Sequence, residues 1–441
     1  MILFCFIWLF IVFFTVLIKD KQKDLFSPGK FVAIKNIIFN LPFILFIYFN
    51  PEMFPEEILR VCQVDLEDAF LWYTFVKTLS FISLILGINF YSRKREKVKH
   101  NVIRNSYFSI KLTSLIFLGI GIGAYIIFLS SAGGITNLLL NLSSRVELQS
   151  GQKVLFFLPF LNLSVLFYML VVKMKRTNRN VLFLVLIVII SFLIYSSLGG
   201  RKNSLYLLIM LVVGYNYIIK PIKVREISKI KILTAVSFVA FYILIIPLIR
   251  RPNGLEELFS SSTDLVEIFQ IRDLVYSISY TYIDVFAANY FHLDNLWFFN
   301  GVGDIFLNAF SSVDSKSYLP PIDDGVYFRS IVSYNRYFSP PTPRGLLTNS
   351  SWPIENFGFS YANFSLFGVV LFFFLQGVVF AYFYKLITKN KFKVIFVFLY
   401  VFVIFNFNFS NLRIVQFILT IPIILLAYLI FRVFDLKKQF K

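Results

Sequence analysis

Residues 69–91 read AFLWYTFVKTLSFISLILGINFY, and residues 92–106 that follow them read SRKREKVKHNVIRNS. The first stretch is a nearly uninterrupted apolar run of the length that a membrane-spanning helix needs, roughly 20 residues. The second stretch holds six Lys or Arg and one Glu. An apolar run that ends in a short basic loop is typical of a helix that reaches the cytoplasmic side of a membrane.

The same pattern recurs along the whole chain and predicts about eleven transmembrane helices. Every second loop is basic: the set 19–24, 92–106, 173–180, 220–231, 385–393 and 432–441 holds 26 Lys and Arg against 5 Asp and Glu. The remaining loops hold 13 against 19. With the basic loops inside, we expect the N-terminus outside and the C-terminus in the cytoplasm. The predicted spans are 2–18, 31–49, 69–91, 108–130, 154–172, 181–198, 205–219, 232–249, 361–384, 394–410 and 414–431.

The composition agrees with an all-α integral membrane protein. The chain has 441 residues, of which 58% are hydrophobic, and its mean hydropathy is +0.75. Because the basic loops follow the predicted topology, the formal net charge of +19 indicates orientation in a membrane and not nucleic-acid binding. The two cysteines lack the spacing of a zinc site, and we expect no cofactor.

The longest loop, 250–360, divides the chain into a first block of eight helices (1–249), this outer loop, and a final block of three helices with a cytoplasmic tail (361–441). Within the loop, residues 264–291 show helical spacing of apolar side chains and predict one long amphipathic helix that lies on the membrane surface or dips into it. A long loop with little other regular structure is usually a binding loop or a lid.

Aromatic side chains are spread through the outer loop among Asp, Asn and Arg. Tyr and Trp combine a flat apolar face with a polar tip, which suits either the membrane interface or stacking on sugar rings. As a set they favour a carbohydrate groove, with Tyr280, Trp297, Tyr337 and Trp352 as the candidate sugar-binding residues.

Cations are scarce on the predicted outer side, and those present lie at helix ends. Arg pairs its planar guanidinium with two phosphate oxygens, and a helix N-terminus also favours an anion. Snorkelling to lipid headgroups is the alternative role for each of these cations. If the helices bundle, the cations can converge on one diphosphate. The candidates are Arg145, Arg201, Lys202, Arg250, Arg251 and Arg413.

A transferase also needs a group that accepts a proton. His292 lies in the outer loop and carries an imidazole, the side chain that most often acts as a general base, and Glu355 lies just before the ninth predicted span. Either is a candidate catalytic base. Asp65 and Glu67 leave open a metal-dependent reaction through oxygen ligands, although residues of this kind more often form a solvated acidic helix start.

Three motifs resemble the Wzy-type polymerases of O-antigen and capsule repeat units, and the overall plan of about eleven helices with one late outer loop agrees. The late motif resembles a Tyr-x-Asn-Phe-Gly-x-x-Gly helix start in which Ser365 replaces the first glycine. The motifs are Ser144-Arg145, Leu198-Gly199-Gly200-Arg201-Lys202-Asn203-Ser204-Leu205, and Gly358-Phe359-Ser360-Tyr361-Ala362-Asn363-Phe364-Ser365-Leu366-Phe367-Gly368.

The resemblance implies a GT-C-like glycosyltransferase in the bacterial cytoplasmic membrane that polymerises polyprenyl-diphosphate-linked oligosaccharide units at the outer face. Donor and acceptor would both be lipid-linked, and a chain-length regulator and a flippase would be partners. Two other functions stay open: a polysaccharide ligase that transfers a finished chain, and a transporter or flippase. The lysines inside apolar runs, including Lys77 and Lys111, are exceptions to the otherwise apolar helix interiors, which disfavour a transporter.

Overall fold

The computed structural model describes residues 1–20, 24–91, 106–140, 148–149, 152–222, 228–249, 271–304, 318–389 and 393–436. Within these residues the regular structure is entirely helical. The predicted all-α class is therefore confirmed for the described part of the chain.

Seventeen helices are used in this description. They are α1 (Ile2–Lys19), α2 (Pro28–Phe39), α3 (Leu41–Phe49), α4 (Glu56–Cys62), α5 (Leu66–Tyr91), α6 (Tyr107–Ser131), α7 (Gly134–Leu140), α8 (Pro159–Met174), α9 (Asn178–Ser197), α10 (Arg201–Gly214), α11 (Lys229–Ile249), α12 (Ile271–Ile278), α13 (Thr281–Tyr290), α14 (Gly325–Tyr334), α15 (Asn356–Lys389), α16 (Lys393–Asn406) and α17 (Asn411–Leu436).

Nine helical segments in the described residues are long and apolar enough to cross a membrane. Each coincides with one of the eleven predicted spans, and α2 with α3 forms one such segment, Pro28–Phe49. The other two predicted spans, 232–249 and 394–410, fall on α11 and α16, which contain shorter apolar stretches. The chain is thus a multi-pass membrane protein by the length and composition of its helices.

The helices group into two compact units, each built from separate stretches of chain. The first unit comprises Met1–Glu96, Val275–Lys385 and Val403–Ile418, and the second comprises Lys97–Leu274, Leu386–Phe402 and Leu419–Lys441. The first unit therefore combines the first five helices with most of the described outer loop. It holds most of the polar contacts considered below.

In the first unit, the predicted amphipathic helix 264–291 is wrong in two respects. Among its described residues it is two helices, α12 and α13, interrupted at Ser279 and Tyr280. Moreover, α13 is buried on most sides and does not lie on a surface, since Ile283, Phe286 and Ala288 are each at most 1% exposed. Helix α13 packs along α5, where Trp72 Nε1 donates a hydrogen bond to the Ala288 carbonyl oxygen at 2.9 Å.

Helix α15 is a hairpin of two antiparallel legs, and the predicted span 361–384 begins just before its turn and lies mostly on the second leg. The backbone is non-helical at Phe364 and Ser365, and Ser365 has φ 52° and ψ −138°. Asn356 Nδ2 donates to Gln376 Oε1 at 3.2 Å. In a straight helix, residues 20 positions apart are separated by about 30 Å, so the chain must reverse between them.

The late motif of the sequence forms the turn of this hairpin. A Cβ added at Gly368 would lie 2.2 Å from the carbonyl oxygen of Ser360, so only glycine lets the two legs approach this closely. Asn363 joins the turn to the outer loop, because its Oδ1 accepts from the backbone N–H of Phe299 at 2.8 Å. The late motif therefore forms the reversal between the two legs of α15, in addition to the start of a helix.

Helices α5 and α15 cross with their backbones in direct contact. A Cβ at Gly87 would lie 2.0 Å from the Phe374 carbonyl oxygen, and a Cβ at Gly377 would lie 2.1 Å from the Leu84 carbonyl oxygen. Small residues permit this close approach between apolar helices.

The second unit is organised around α8, which is buried along nearly its whole length. Helix α6 packs closely on α8, where Ser114 and Ser164 each donate to the other's carbonyl oxygen at 2.8 Å. Such reciprocal bonds satisfy hydroxyl groups that lipid could not.

Candidate functional site

Two ion pairs inside the first unit connect lysines of predicted spans to carboxylates of the outer loop. Lys77 Nζ lies 3.0 Å from Asp284 Oδ2, and Lys35 Nζ lies 3.2 Å from Glu355 Oε2. We call these four residues the charged core. Ionisable side chains within membrane-spanning helices are rare and usually paired, and they mark functional sites more often than structural ones.

The position of Lys77 explains why it needs a partner. It lies 11 residues after the start of α5 and 14 before its end, or about 16 Å and 21 Å along the axis. Its side chain is only 9% exposed, and that of Asp284 is 13% exposed. An unpaired charge that is buried to this extent costs several kcal/mol. Asp284 on α13 supplies the opposite charge that allows Lys77 to stay ionised in the interior of the first unit.

Glu355 is the accessible member of the charged core. Its side chain is 48% exposed, although protein atoms surround it closely. This crowding opposes ionisation, but the charges of Lys35, Arg413 and Lys77 outweigh it and hold the pKa of Glu355 below its ordinary value. An ionised carboxylate that water can reach therefore lies among three cations.

A pocket of about 220 Å³ lies beside the charged core and contains two of the predicted site residues, Trp352 and Arg413. Its lining residues are Asp323, Asp324, Ser351, Trp352, Pro353, Ile354, Ser410, Leu412 and Arg413. We call it the Arg413 pocket. Glu355 directly follows the lining residue Ile354, and the charge of Arg413 acts on both Glu355 and Asp323.

Asp324 builds one wall of this pocket by capping α17. Its two carboxylate oxygens accept from the backbone N–H and the side-chain amide of Asn411, both at 3.0 Å. Asp324 is 2% exposed, and its burial raises its pKa to about 7 against the opposing effect of these bonds. The carboxylate thereby fixes the first turn of α17, where Arg413 is the third residue.

Asp323 also lines the pocket. Its carboxylate accepts from Ser351 Oγ at 2.7 Å and from the backbone N–H of Gly325 at 3.0 Å. A Cβ at Gly325 would lie 1.7 Å from the Trp352 carbonyl oxygen, so the glycine of the Asp-Asp-Gly sequence lets the backbone at Gly325 contact the backbone at Trp352. Burial raises the pKa of Asp323, while its hydrogen bonds and the charge of Arg413 lower it.

The position of Arg413 is unfavourable for a purely structural cation. It lies in the first turn of α17, where the helix dipole favours an anion. Its NH1 donates to Gln416 Oε1 at 2.8 Å, and it forms no ion pair within the described residues. A half-buried guanidinium that lines a pocket at a helix N-terminus is suited to bind an anionic ligand.

The candidate sugar-binding residues differ in their surroundings. Trp352 is half-buried in the Arg413 pocket, and one face of its ring is covered by the Arg329 guanidinium at 5.4 Å. Tyr280 and Tyr337 are exposed. Trp297 is 1% exposed and packed among Phe291, Tyr327 and Phe328, so its ring faces the protein core and offers no surface to a sugar.

The other predicted site residues are not brought to the charged core by any described contact. His292 is exposed and helps to cap a short 3-10 turn, where its backbone N–H donates to Asn295 Oδ1 at 2.6 Å. Asp65 lines a separate shallow recess. Among the described side chains, no three His, Cys, Asp or Glu are grouped as a metal site.

Most of the predicted diphosphate-binding cations lie outside this unit or outside the described residues. Arg145, Arg250 and Arg251 are not in the described ranges. Arg201 and Lys202 begin α10 in the second unit, directly after the predicted tight turn at Gly199 and Gly200. The convergence of all these cations on one site stays a prediction.

Comparisons with protein-family models, with curated proteins and with solved structures each find no match. The fold and the site define the class as an all-α, multi-pass membrane protein with ionisable groups inside its helical core. A more specific function is a matter for proposal.

Proposed function

We propose that the protein is a membrane glycosyltransferase that polymerises polyprenyl-diphosphate-linked oligosaccharide units at the outer face of the bacterial cytoplasmic membrane. One observation carries the proposal: Arg413 and Trp352 line a single pocket, and the charge of Arg413 acts on the neighbouring Glu355. The pocket thus combines a cation for phosphate and an aromatic ring for sugar, with a carboxylate beside it for proton transfer.

In this proposal, Arg413 neutralises the diphosphate as the bond between it and the donor sugar breaks. The edge or remaining face of Trp352 positions a sugar ring. Glu355 accepts the proton of the acceptor hydroxyl, for which it must be ionised, and its lowered pKa keeps it so. Arg201 and Lys202 remain candidates for the second lipid-linked substrate.

The test is the surface glycan of a strain that depends on this gene, complemented with wild type, Arg413→Gln, Glu355→Gln or Arg201→Ala. We expect single-repeat glycan from each variant and long chains from wild type. Arg336→Gln is the matched control, because Arg336 is exposed, its guanidinium lies 5.7 Å from the centre of the Phe338 ring, and it does not line the Arg413 pocket. Long chains at normal expression from the Arg413 and Glu355 variants would refute the proposal.

Deletion of the gene separates the polymerase from a ligase. Loss of a polymerase leaves single repeat units, whereas loss of a ligase leaves finished polymer on the carrier lipid. Measuring the length of the carrier-linked glycan therefore decides between the two.

A transporter or flippase is the second candidate, and the charged core favours it. Ionisable groups within membrane-spanning helices and helices that are discontinuous within their apolar length are typical of transporters. Here the Lys77–Asp284 pair and the α15 hairpin supply both features. If deletion leaves lipid-linked single units on the cytoplasmic face only, the protein moves its substrate and does not polymerise it.

A further inference from the structure

Two cations from different helices act on the Glu355 carboxylate. Lys35 on α2 lies 3.2 Å and 3.5 Å from its two oxygens. Arg413, in the first turn of α17, lines the pocket that includes Ile354, the residue before Glu355, and its charge lowers the pKa of Glu355. Glu355 is therefore a counter-charge that both cations share.

We propose that Lys35 and Arg413 form a binding site for a phosphate or diphosphate group, and that Glu355 occupies this site as a counter-anion until the ligand displaces it. This inference rests on the proposed function, because it assigns a second role to the same site. The ligand chemistry is a phosphate ester or diphosphate.

The accessibility of the ion pair and the chemistry of phosphate support the replacement of Glu355 by a phosphate group. Glu355 is 48% exposed and Lys35 is 23% exposed, so an anion can reach the pair without unfolding the unit. A partly exposed ion pair is weak, and a diphosphate offers more oxygens and more charge than a carboxylate. Arg413 already lines a pocket large enough to hold a phosphate group.

Lys77 does not take part in the exchange, since it is bound to Asp284 in a more buried position. It acts as a fixed positive charge behind Glu355, and its ring contact with Phe357 at 5.2 Å holds it there. The groups that act electrostatically on Glu355 are therefore Lys35, Arg413, Lys77 and Asp284.

Displacement changes the protonation of Glu355. Once phosphate oxygens engage Lys35 and Arg413, these cations no longer favour the ionised carboxylate, while its crowded surroundings still oppose it. The pKa of Glu355 then rises, and anion binding is accompanied by proton uptake. Only the fraction of Glu355 that stays ionised can accept a proton, and with the raised pKa this fraction is the stronger base.

The first experiment measures inorganic pyrophosphate binding by calorimetry to the full chain in phosphatidylcholine nanodiscs at pH 7. Removing the competing anion in Glu355→Gln should tighten binding by about tenfold. Lys35→Gln should weaken it by at least about tenfold. Glu57→Gln is the control, because Glu57 is an exposed carboxylate on α4.

Unchanged affinity in both charge variants would overturn the proposal. If Lys35→Gln misfolds, the double variant Lys35→Gln/Glu355→Gln removes both charges and leaves none unpaired. It should bind more weakly than Glu355→Gln alone, and equal affinity would also overturn the proposal.

Proton uptake is the second readout. Titrations in two buffers of different ionisation enthalpy should show greater proton uptake per pyrophosphate in wild type than in Glu355→Gln, because the variant reports only the protons that pyrophosphate itself exchanges. Equal proton exchange in the two proteins would contradict the displacement of Glu355.

Polyprenyl diphosphate in phosphatidylcholine vesicles identifies the source of the phosphate. If inorganic pyrophosphate and polyprenyl diphosphate both bind, the site accepts any diphosphate. If only polyprenyl diphosphate binds, the site is assigned to a lipid headgroup. Binding of neither overturns the proposal. If the variants shift affinity as expected but still produce long surface glycan, the binding site stands and the polymerase function fails.

Discussion

Replacing Lys77 by Met should destabilise the first unit by about 3–5 kcal/mol, because it leaves the Asp284 carboxylate buried without a partner. The two charged atoms are 3.0 Å apart, and their side chains are 9% and 13% exposed. At an effective dielectric constant of about 20, their gross attraction is roughly 5 kcal/mol. Desolvation of both charges cancels most of this attraction in the wild type, but the single variant keeps the desolvation of Asp284 and loses the attraction.

The double variant Lys77→Met/Asp284→Leu should recover most of the loss and lie within about 2 kcal/mol of wild type, since neither charge remains. The free energy of unfolding can be measured by titrating purified protein in mixed micelles with dodecyl sulfate and following tryptophan fluorescence. The coupling energy between the two positions follows from a double-mutant cycle.

Lys111→Met is the matched control. Lys111 also lies within an apolar helix, α6, but the described residues give it no carboxylate partner. Its substitution should change the unfolding free energy by less than about 1 kcal/mol. If the single Lys77 variant costs no more than this control, or if the double variant costs the sum of its two single variants, the pair does not hold α13 against α5.

Three further predictions concern the hairpin and the pocket. Gly368→Ala should lower the unfolding free energy by about 3 kcal/mol because its Cβ would meet the Ser360 carbonyl oxygen at 2.2 Å, whereas Gly123→Ala, with open space around it, should be neutral or stabilising in the same titration. Ser365→Gly should stabilise by about 1 kcal/mol or more because φ is 52° there, and Ser365→Ala, which keeps the Cβ, should show no such gain. Burial raises the pKa of Asp324 from 3.8 to about 7, so the native state binds a proton that the unfolded state has lost. The free energy of unfolding should therefore fall as the pH rises between these values, by at most about 1.4 kcal/mol per pH unit. If Asp324→Asn leaves this slope unchanged, Asp324 is not the group responsible for it.

The helical class and the candidate spans could be predicted from sequence because they depend on local composition. A run of apolar residues between basic loops can satisfy its backbone in lipid only as a helix. For this reason all nine candidate spans coincide with predicted ones. The reversal at Ser365 was missed because apolar residues continue through it, and hydropathy does not record φ.

The break between α12 and α13 could not be predicted from helical spacing alone. Ser279 Oγ lies 2.8 Å from Thr281 Oγ1 and accepts from the Thr281 backbone N–H at 3.3 Å. Such short-range hydroxyl bonds compete with helical backbone bonds and end a helix locally. The periodicity of apolar residues continued across this point and suggested a single helix.

The types of residue in the candidate site could be predicted from sequence, but the residues with which they pair could not. Glu355 and Arg413 were identified from their positions at helix ends and Trp352 as an aromatic of the outer loop; Trp352 and Arg413 line one pocket, and Glu355 follows its lining residue Ile354. Asp323 and Asp324 were missed, although an Asp-Asp-Gly sequence before an apolar helix is a recognisable cap signal. The pairing of Lys77 with Asp284, 207 residues away, depends on tertiary packing that no local pattern encodes.

The glycine contacts between α5 and α15 restrict the route that a hydrocarbon tail can take. With the Gly87 and Gly377 backbones directly against the opposite helix, this seam has no gap wide enough for an isoprenoid chain. A long-tailed amphiphile that places its headgroup near Lys35 must therefore extend its tail along another side of the unit. Photo-crosslinkers on such a tail should label other helices and leave the Gly87–Gly377 crossing unmarked.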